Sequence, residues 1–222
     1  MLQPYNSLAY ANLPEFEMVR KYASNSDVHL NQLGEIIKKF NFKNMVGISL
    51  LHKHFNLYQN EKLVRDFVNN KIFIKPTATS DSPYVPYMFA FTKTNSKEEL
   101  NLYPIEFVKL TSETKIFEEN YRMIQNQETF LQEIKEYLQN NKLENIFGLS
   151  FLPYNVISLN DNEILIETED NFNTEGTIDA DNRALKIEVL PKSAKKTGNT
   201  TKTLWDYERN TGMNCHHHCD HQ

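Results

Sequence analysis

Residues 30–51, LNQLGEIIKKFNFKNMVGISLL, and residues 131–152, LQEIKEYLQNNKLENIFGLSFL, align without a gap at a constant offset of 101. Self-similarity of this length constrains a fold more than any single element does, because the packing that buries one copy has to be supplied again for the other. Leu30, Leu33, Ile36, Ile37 and Phe42 fall on Leu131, Ile134, Tyr137, Leu138 and Leu143. Asn44, Gly47, Ser49 and Leu51 then fall on Asn145, Gly148, Ser150 and Leu152. After one residue of slack, Glu61, Leu63 and Val64 fall on Glu163, Leu165 and Ile166.

The periodicity within each copy gives it a shape. Apolar residues at 30, 33, 36, 37 and 40 recur at helical spacing, with Asp27 or Asn31 as caps, and predict an amphipathic helix. MVGISLL and IFGLSFL are short apolar runs with a small residue in the middle, the pattern of a central strand covered on both faces. Gly47 and Gly148 leave room for a neighbour to pack against the backbone. Further strands are predicted at KIFIKPT, YMFAFTK, IEFVKLT, EILIETE and LKIEVLP, and a second long helix at about 113–141, broken near Asn126. The expected fold is therefore α+β: a mixed or antiparallel sheet with helices on one face, built from two helix-strand-strand units at about 30–68 and 131–168.

With 222 residues, 40% of them hydrophobic, the chain is long enough for one sizeable core. The expected organisation is a single domain over residues 1–190, a flexible basic linker over 191–202 (PKSAKKTGNTTK), and a tail over 203–222 held by Trp205. A net charge of −5 without a basic stripe argues against nucleic acid as a partner. No apolar run is long enough to span a bilayer, so the expectation is a cytoplasmic protein without a membrane partner.

Six of the seven histidines and both cysteines lie in two stretches, GISLLHKHFNL and MNCHHHCDHQ. Where the first unit continues with His52-Lys53-His54, the second has Pro153-Tyr154-Asn155, so the unit is built without histidines there. Residues two apart on a strand project from one face, and His52 and His54 can then reach one ion. The tail adds Cys215, His216, His217, His218, Cys219 and His221, ligand types for zinc or copper(I). A helical tail would put Cys215, His218 and Cys219 on one face and pair His217 with His221, whereas an irregular tail allows several other combinations to close around an ion.

The candidate metal ligands are thus His52, His54, Cys215, His218, Cys219 and His221. The expected shared sphere combines the two strand-end histidines with Cys215 and Cys219, or with one cysteine and one tail histidine. Zinc is the expected ion, with copper or iron as alternatives. An open sphere would instead support a metal-dependent hydrolase or oxygenase, for which Glu61, Glu163, Glu167 and Asp179 are the available carboxylates. A metal-free module that binds a protein partner or a second copy of the chain is the third reading.

The LLHKHF run resembles a Leu-Leu-His-[Arg/Lys]-His-Phe motif in a group of proteins, many of them fungal, some with Cys and His near the C-terminus. The resemblance covers about a dozen residues plus the tail. It implies no activity, only that the two histidine-bearing segments belong together.

Overall fold

A computed structural model describes residues 2–79, 83–95, 99–169, 183–194, 200–208 and 212–220. Its ten strands are β1 (Val46–Leu50), β2 (Glu61–Val68), β3 (Lys71–Ala78), β4 (Tyr84–Thr92), β5 (Asn101–Lys109), β6 (Phe147–Phe151), β7 (Glu163–Glu169), β8 (Leu185–Pro191), β9 (Thr200–Glu208) and β10 (Gly212–Asp220). They close into one barrel in the order β1-β6-β4-β5-β2-β3-β8-β7-β10-β9, with β9 returning to β1. Only the β2/β5 and β7/β10 pairs are parallel.

The α+β sheet of two helix-strand-strand units is therefore overturned. Every strand is hydrogen-bonded on both sides, which leaves no open edge and turns one face of the sheet inwards as a closed core. The helices do not share one face. Helix α4 (Asp27–Lys39) packs on α6 (Glu128–Asn140) and on β1, β9 and β10, while α5 (Lys115–Gln125) packs on β4. The short helices α1 (Ser7–Ala11) and α3 (Tyr22–Asn25) pack on β5 and β9, and α2 (Phe16–Val19) lies between them in sequence. Among the described residues, no helix is long and apolar enough to cross a membrane.

The strand order has an internal regularity. Exchanging β1–β5 with β6–β10, strand for strand, returns the same circular order read in the opposite sense. Ile48 in β1 lies directly opposite Leu149 in β6, the residue 101 positions on, and Gly47 and Ser49 lie opposite Ser150 and Gly148. The hydrogen bonds flanking this pair match as well: Leu51 N–H donates to Ile146 O at 2.8 Å and Leu152 N–H to Met45 O at 3.0 Å. Helices α4 and α6 end alike, with Asn41 and Lys142 at φ 62° and 59°. In each case the next amide bonds back to the helix, Phe42 to Ile37 O and Leu143 to Leu138 O.

The close approach expected at the two glycines is present. A Cβ on Gly47 would sit 2.6 Å from Trp205 O, and one on Gly148 would meet Phe89 O. The adjacent strands β9 and β4 therefore lie against them as backbone. The predicted 113–141 helix is two helices, parted at Asn126 and Gln127. Asn69 and Asn70, at φ 51° and 60°, make the two-residue turn between β2 and β3, a backbone that asparagine tolerates better than most residues.

Trp205 is buried in β9, edge-on to Phe147 at 5.9 Å between ring centroids. Of the basic segment 191–202, residues 192–194 form a 3₁₀ turn and 200–202 belong to β9, while 195–199 lie outside the described residues. The CHHHCD segment is extended, as part of β10.

Candidate metal centre

Extended geometry decides which tail residues share a face. Side chains alternate along a strand, so His217 and Cys219 of β10 point one way and His218 and Asp220 the other. Cys219 is 2% exposed and its thiol donates to Glu167 Oε1 at 3.2 Å. Glu167 comes from β7, whose parallel register puts it directly beside Cys219.

His52 and His54 follow the end of β1. Lys53 N–H donates to Pro14 O at 3.0 Å, and the Lys53 ammonium pairs with Glu15 at 2.9 Å. This tether turns the flanking histidines towards each other, with ring centroids 4.5 Å apart. The His52 ring packs edge-on against Phe16 of α2, at 5.1 Å. Its Nδ1 lies 3.0 Å from Leu50 O. A carbonyl only accepts, so Nδ1 carries a proton, and in the neutral form of the ring Nε2 then carries the lone pair, the arrangement of many metal-binding imidazoles. His54 Nε2 stands 2.9 Å from Glu167 Oε1.

Ligand atoms of His52, His54, Glu167 and Cys219 consequently all lie within 4.8 Å of one another. His52, His54 and Glu167 border a cavity of about 20 Å³ inside the barrel. Across it stand Arg65 of β2 and Glu106 of β5, an ion pair at 2.5 Å with both side chains less than one-tenth exposed. Arg65 also lies over the Tyr87 ring, 4.8 Å from its centroid.

The electrostatics of the centre turn on Glu167. Burial alone would push its carboxyl up, but the charge and hydrogen bond of His54, with the charges of His217 and Arg65, hold it well below the usual carboxylate range. It stays an anion inside the barrel. Burial drives His217 the other way, down to about 4, against the raising effect of Glu167. At neutral pH this imidazole is uncharged, so the attraction of Glu167 to it is small there.

Of the six expected ligands, the structure brings together His52, His54 and Cys219. The Cys215 thiol instead donates to His217 O at 2.9 Å, and burial pushes it up to about 11. His218 points to the opposite side of β10, into a cleft with Arg20, Ser24, Asp27, Thr200 and Lys202. His221 lies outside the described residues, as does Asp179. Glu61 is engaged by the Arg183 guanidinium, and Glu163 caps the turn at Asn160.

Of the four clustered donors, Glu167 is the one the sequence offers only as one carboxylate among four. Its signal is there once the unit alignment is carried one residue further, to Arg65 against Glu167. Both are charges in strands otherwise rich in apolar side chains, and both prove to be buried.

A second donor group, Asp206, Glu208 and His216, lies near the mouth of the β9/β10 hairpin. His216 is the extra residue of a bulge between Cys215 and His217. Its Nε2 bonds Glu208 at 2.6 Å, and the Tyr154 hydroxyl donates to Asp206 at 3.3 Å. Burial raises the Asp206 carboxyl to about 6, with the Glu208 charge adding to the effect and His216 opposing it. Hydrogen bonds thus tie His216 to Glu208 and Asp206 to Tyr154.

Comparison with protein-family models, with curated proteins and with solved structures finds no match to this chain.

Proposed function

We propose that this protein is a zinc-binding barrel in which His52, His54, Glu167 and Cys219 hold one ion that fixes the closing strand. The observation that carries this reading is the convergence of four donors within 4.8 Å from three separate segments of the chain. A thiolate, two imidazoles and a carboxylate are a zinc set, since sulfur and nitrogen donors disfavour calcium or magnesium.

Charge supports the same conclusion. Arg65 and Glu106 neutralise each other, which leaves the Glu167 carboxylate and, on binding, the Cys219 thiolate as the anionic donors of the site. Two negative charges buried together are costly, and a divalent cation balances them. A cavity of about 20 Å³ has room for an ion or a water but not for an organic substrate. The size of the cavity therefore favours a structural or regulatory ion over a catalytic one. The ion would join β10 to β7 and to the segment after β1, tying both flanks of the β9/β10 hairpin to the barrel.

Elemental analysis of the purified protein tests the reading. It expects about one zinc per chain in the wild type and loss of that zinc in Cys219→Ser and in His54→Ala. Equal metal content in all three proteins would sink it.

A further inference from the structure

His52, His54 and Glu167 do not exhaust the polar groups that face the cavity. His217 lines it together with His52, His54 and Glu167. Its side chain is 7% exposed, and its Nε2 makes no hydrogen bond. The nearest acidic atom, Glu167 Oε2, is 3.7 Å away, beyond the reach of an N–H···O bond. A buried polar nitrogen without a hydrogen bond costs about 1–3 kcal/mol. Native structures seldom leave one so without a ligand, ion or water to meet it.

The strand explains why the nitrogen points there. His217 is two residues before Cys219 on β10, so the two side chains leave the same face. The parallel register sets His217 beside Leu165 and Cys219 beside Glu167, one pleat apart on β7. The same two positions in the other half of the barrel are occupied by Glu106 beside Leu63, with Arg65 one pleat on. There the side chains make a complete ion pair. Here the equivalent positions hold a carboxylate and an imidazole that do not reach each other.

We infer that His217 is a further ligand of the same ion, so that the bound sphere comprises His52, His54, His217, Glu167 and Cys219. The inference rests on the zinc reading above and adds the coordination number and the role of His217. Its Nε2 is not among the four donors that lie within 4.8 Å of one another, so ligation draws the ring inwards over Glu167. The ion then supplies the partner that the nitrogen lacks. Five donors also make the sphere a poor one for copper(I), which soft ligands bind in small coordination numbers, and suit a divalent ion.

Cobalt(II) added to chelator-stripped full-length protein tests this, because the ion is visible where zinc is silent. A thiolate-to-cobalt charge-transfer band in the near ultraviolet reports the Cys219 bond, and the strength of the visible ligand-field bands separates four-coordinate from five-coordinate cobalt. The wild type is expected to show the charge-transfer band with weak ligand-field bands. His217→Ala is expected to keep the former while the latter strengthen several-fold, with affinity falling at least ~10-fold, the lower end of what even an outer-shell partner contributes. Proton spectra of the cobalt protein in water, which need no variant, are expected to show three shifted, exchangeable imidazole N–H signals. Two such signals, or a His217→Ala protein with wild-type bands and affinity, would overturn the inference while leaving the four-ligand site standing. Absence of the charge-transfer band from the wild type would instead overturn the zinc reading and this inference together.

Discussion

His54 Nε2 lies 2.9 Å from Glu167 Oε1 inside the barrel, with both side chains less than one-tenth exposed. One residue follows the first strand and the other sits in the seventh, so the contact exists only once the barrel has closed. Glu167 is the hub of the site: it also accepts from Cys219 and faces His217.

Glu167→Gln keeps the shape of the side chain and removes its charge. Zinc affinity should fall by more than the ~10–100-fold that an outer-shell partner contributes, as read by competition with a chromophoric chelator. An unchanged affinity would place the ion elsewhere.

The two cysteines should behave differently. Cys215 is turned to a backbone carbonyl and its thiol is pushed up to about 11, so it should react slowly with alkylating reagents at neutral pH whether or not zinc is present. Cys219 should be protected by zinc and become more reactive after chelation. Cys215→Ser should retain full metal content; loss of zinc in that variant would contradict the assignment of ligands.

The Arg65–Glu106 pair should show strong coupling. Removing one partner leaves a buried charge and should cost about 3–5 kcal/mol, whereas Arg65→Met with Glu106→Leu should cost markedly less than the two single changes together. Urea unfolding of the four proteins measures this, and additive losses would mean that the two charges do not depend on each other.

How much of this was legible in the sequence differs from element to element. The α4 helix and strands β1 to β8 can be read from period and from punctuation by Pro, Asn and Gly. The closed barrel cannot, because β10 is written in histidine and cysteine and has no alternation of apolar residues to announce a strand. With β9 and β10 read as an anchor and a polar tail, the sheet keeps two open edges and an α+β arrangement follows. The same omission governed the site. A helical tail groups Cys215 with His218 and Cys219, whereas the strand groups Cys219 with His217, and only the register with β7 brings in Glu167. His52 and His54 were legible because the second copy of the unit lacks them.

Stability of the chelated protein should depend on pH through His217. Burial lowers its folded-state value from 6.5 to about 4, so between those limits the unfolded chain takes up a proton that the folded protein refuses. The contribution is complete above pH 6.5 and is lost as pH falls towards 4, by up to about 3 kcal/mol at ~1.4 kcal/mol per pH unit. Glu167 acts in the same direction at lower pH, below 4.5. The urea midpoint should drop between pH 7 and pH 4.5, and less so in His217→Phe; equal drops would assign the effect to other groups.

Gly47→Ala tests the close approach of β9 to β1. Its Cβ would press on the carbonyl of Trp205, a backbone atom that cannot swing aside. Overpacking of this kind costs about 1–3 kcal/mol, and the thermal midpoint should fall accordingly. An unchanged midpoint would show that the two strands are free to part.

Crystals grown with zinc, with diffraction recorded on both sides of the zinc absorption edge, test the central claim most directly. The zinc-barrel proposal predicts a single strong anomalous peak inside the barrel, within about 2.0–2.3 Å of Glu167, Cys219 and the imidazoles of His52 and His54. A barrel interior without such a peak, or zinc bound only at the Asp206, Glu208 and His216 cluster, would contradict it.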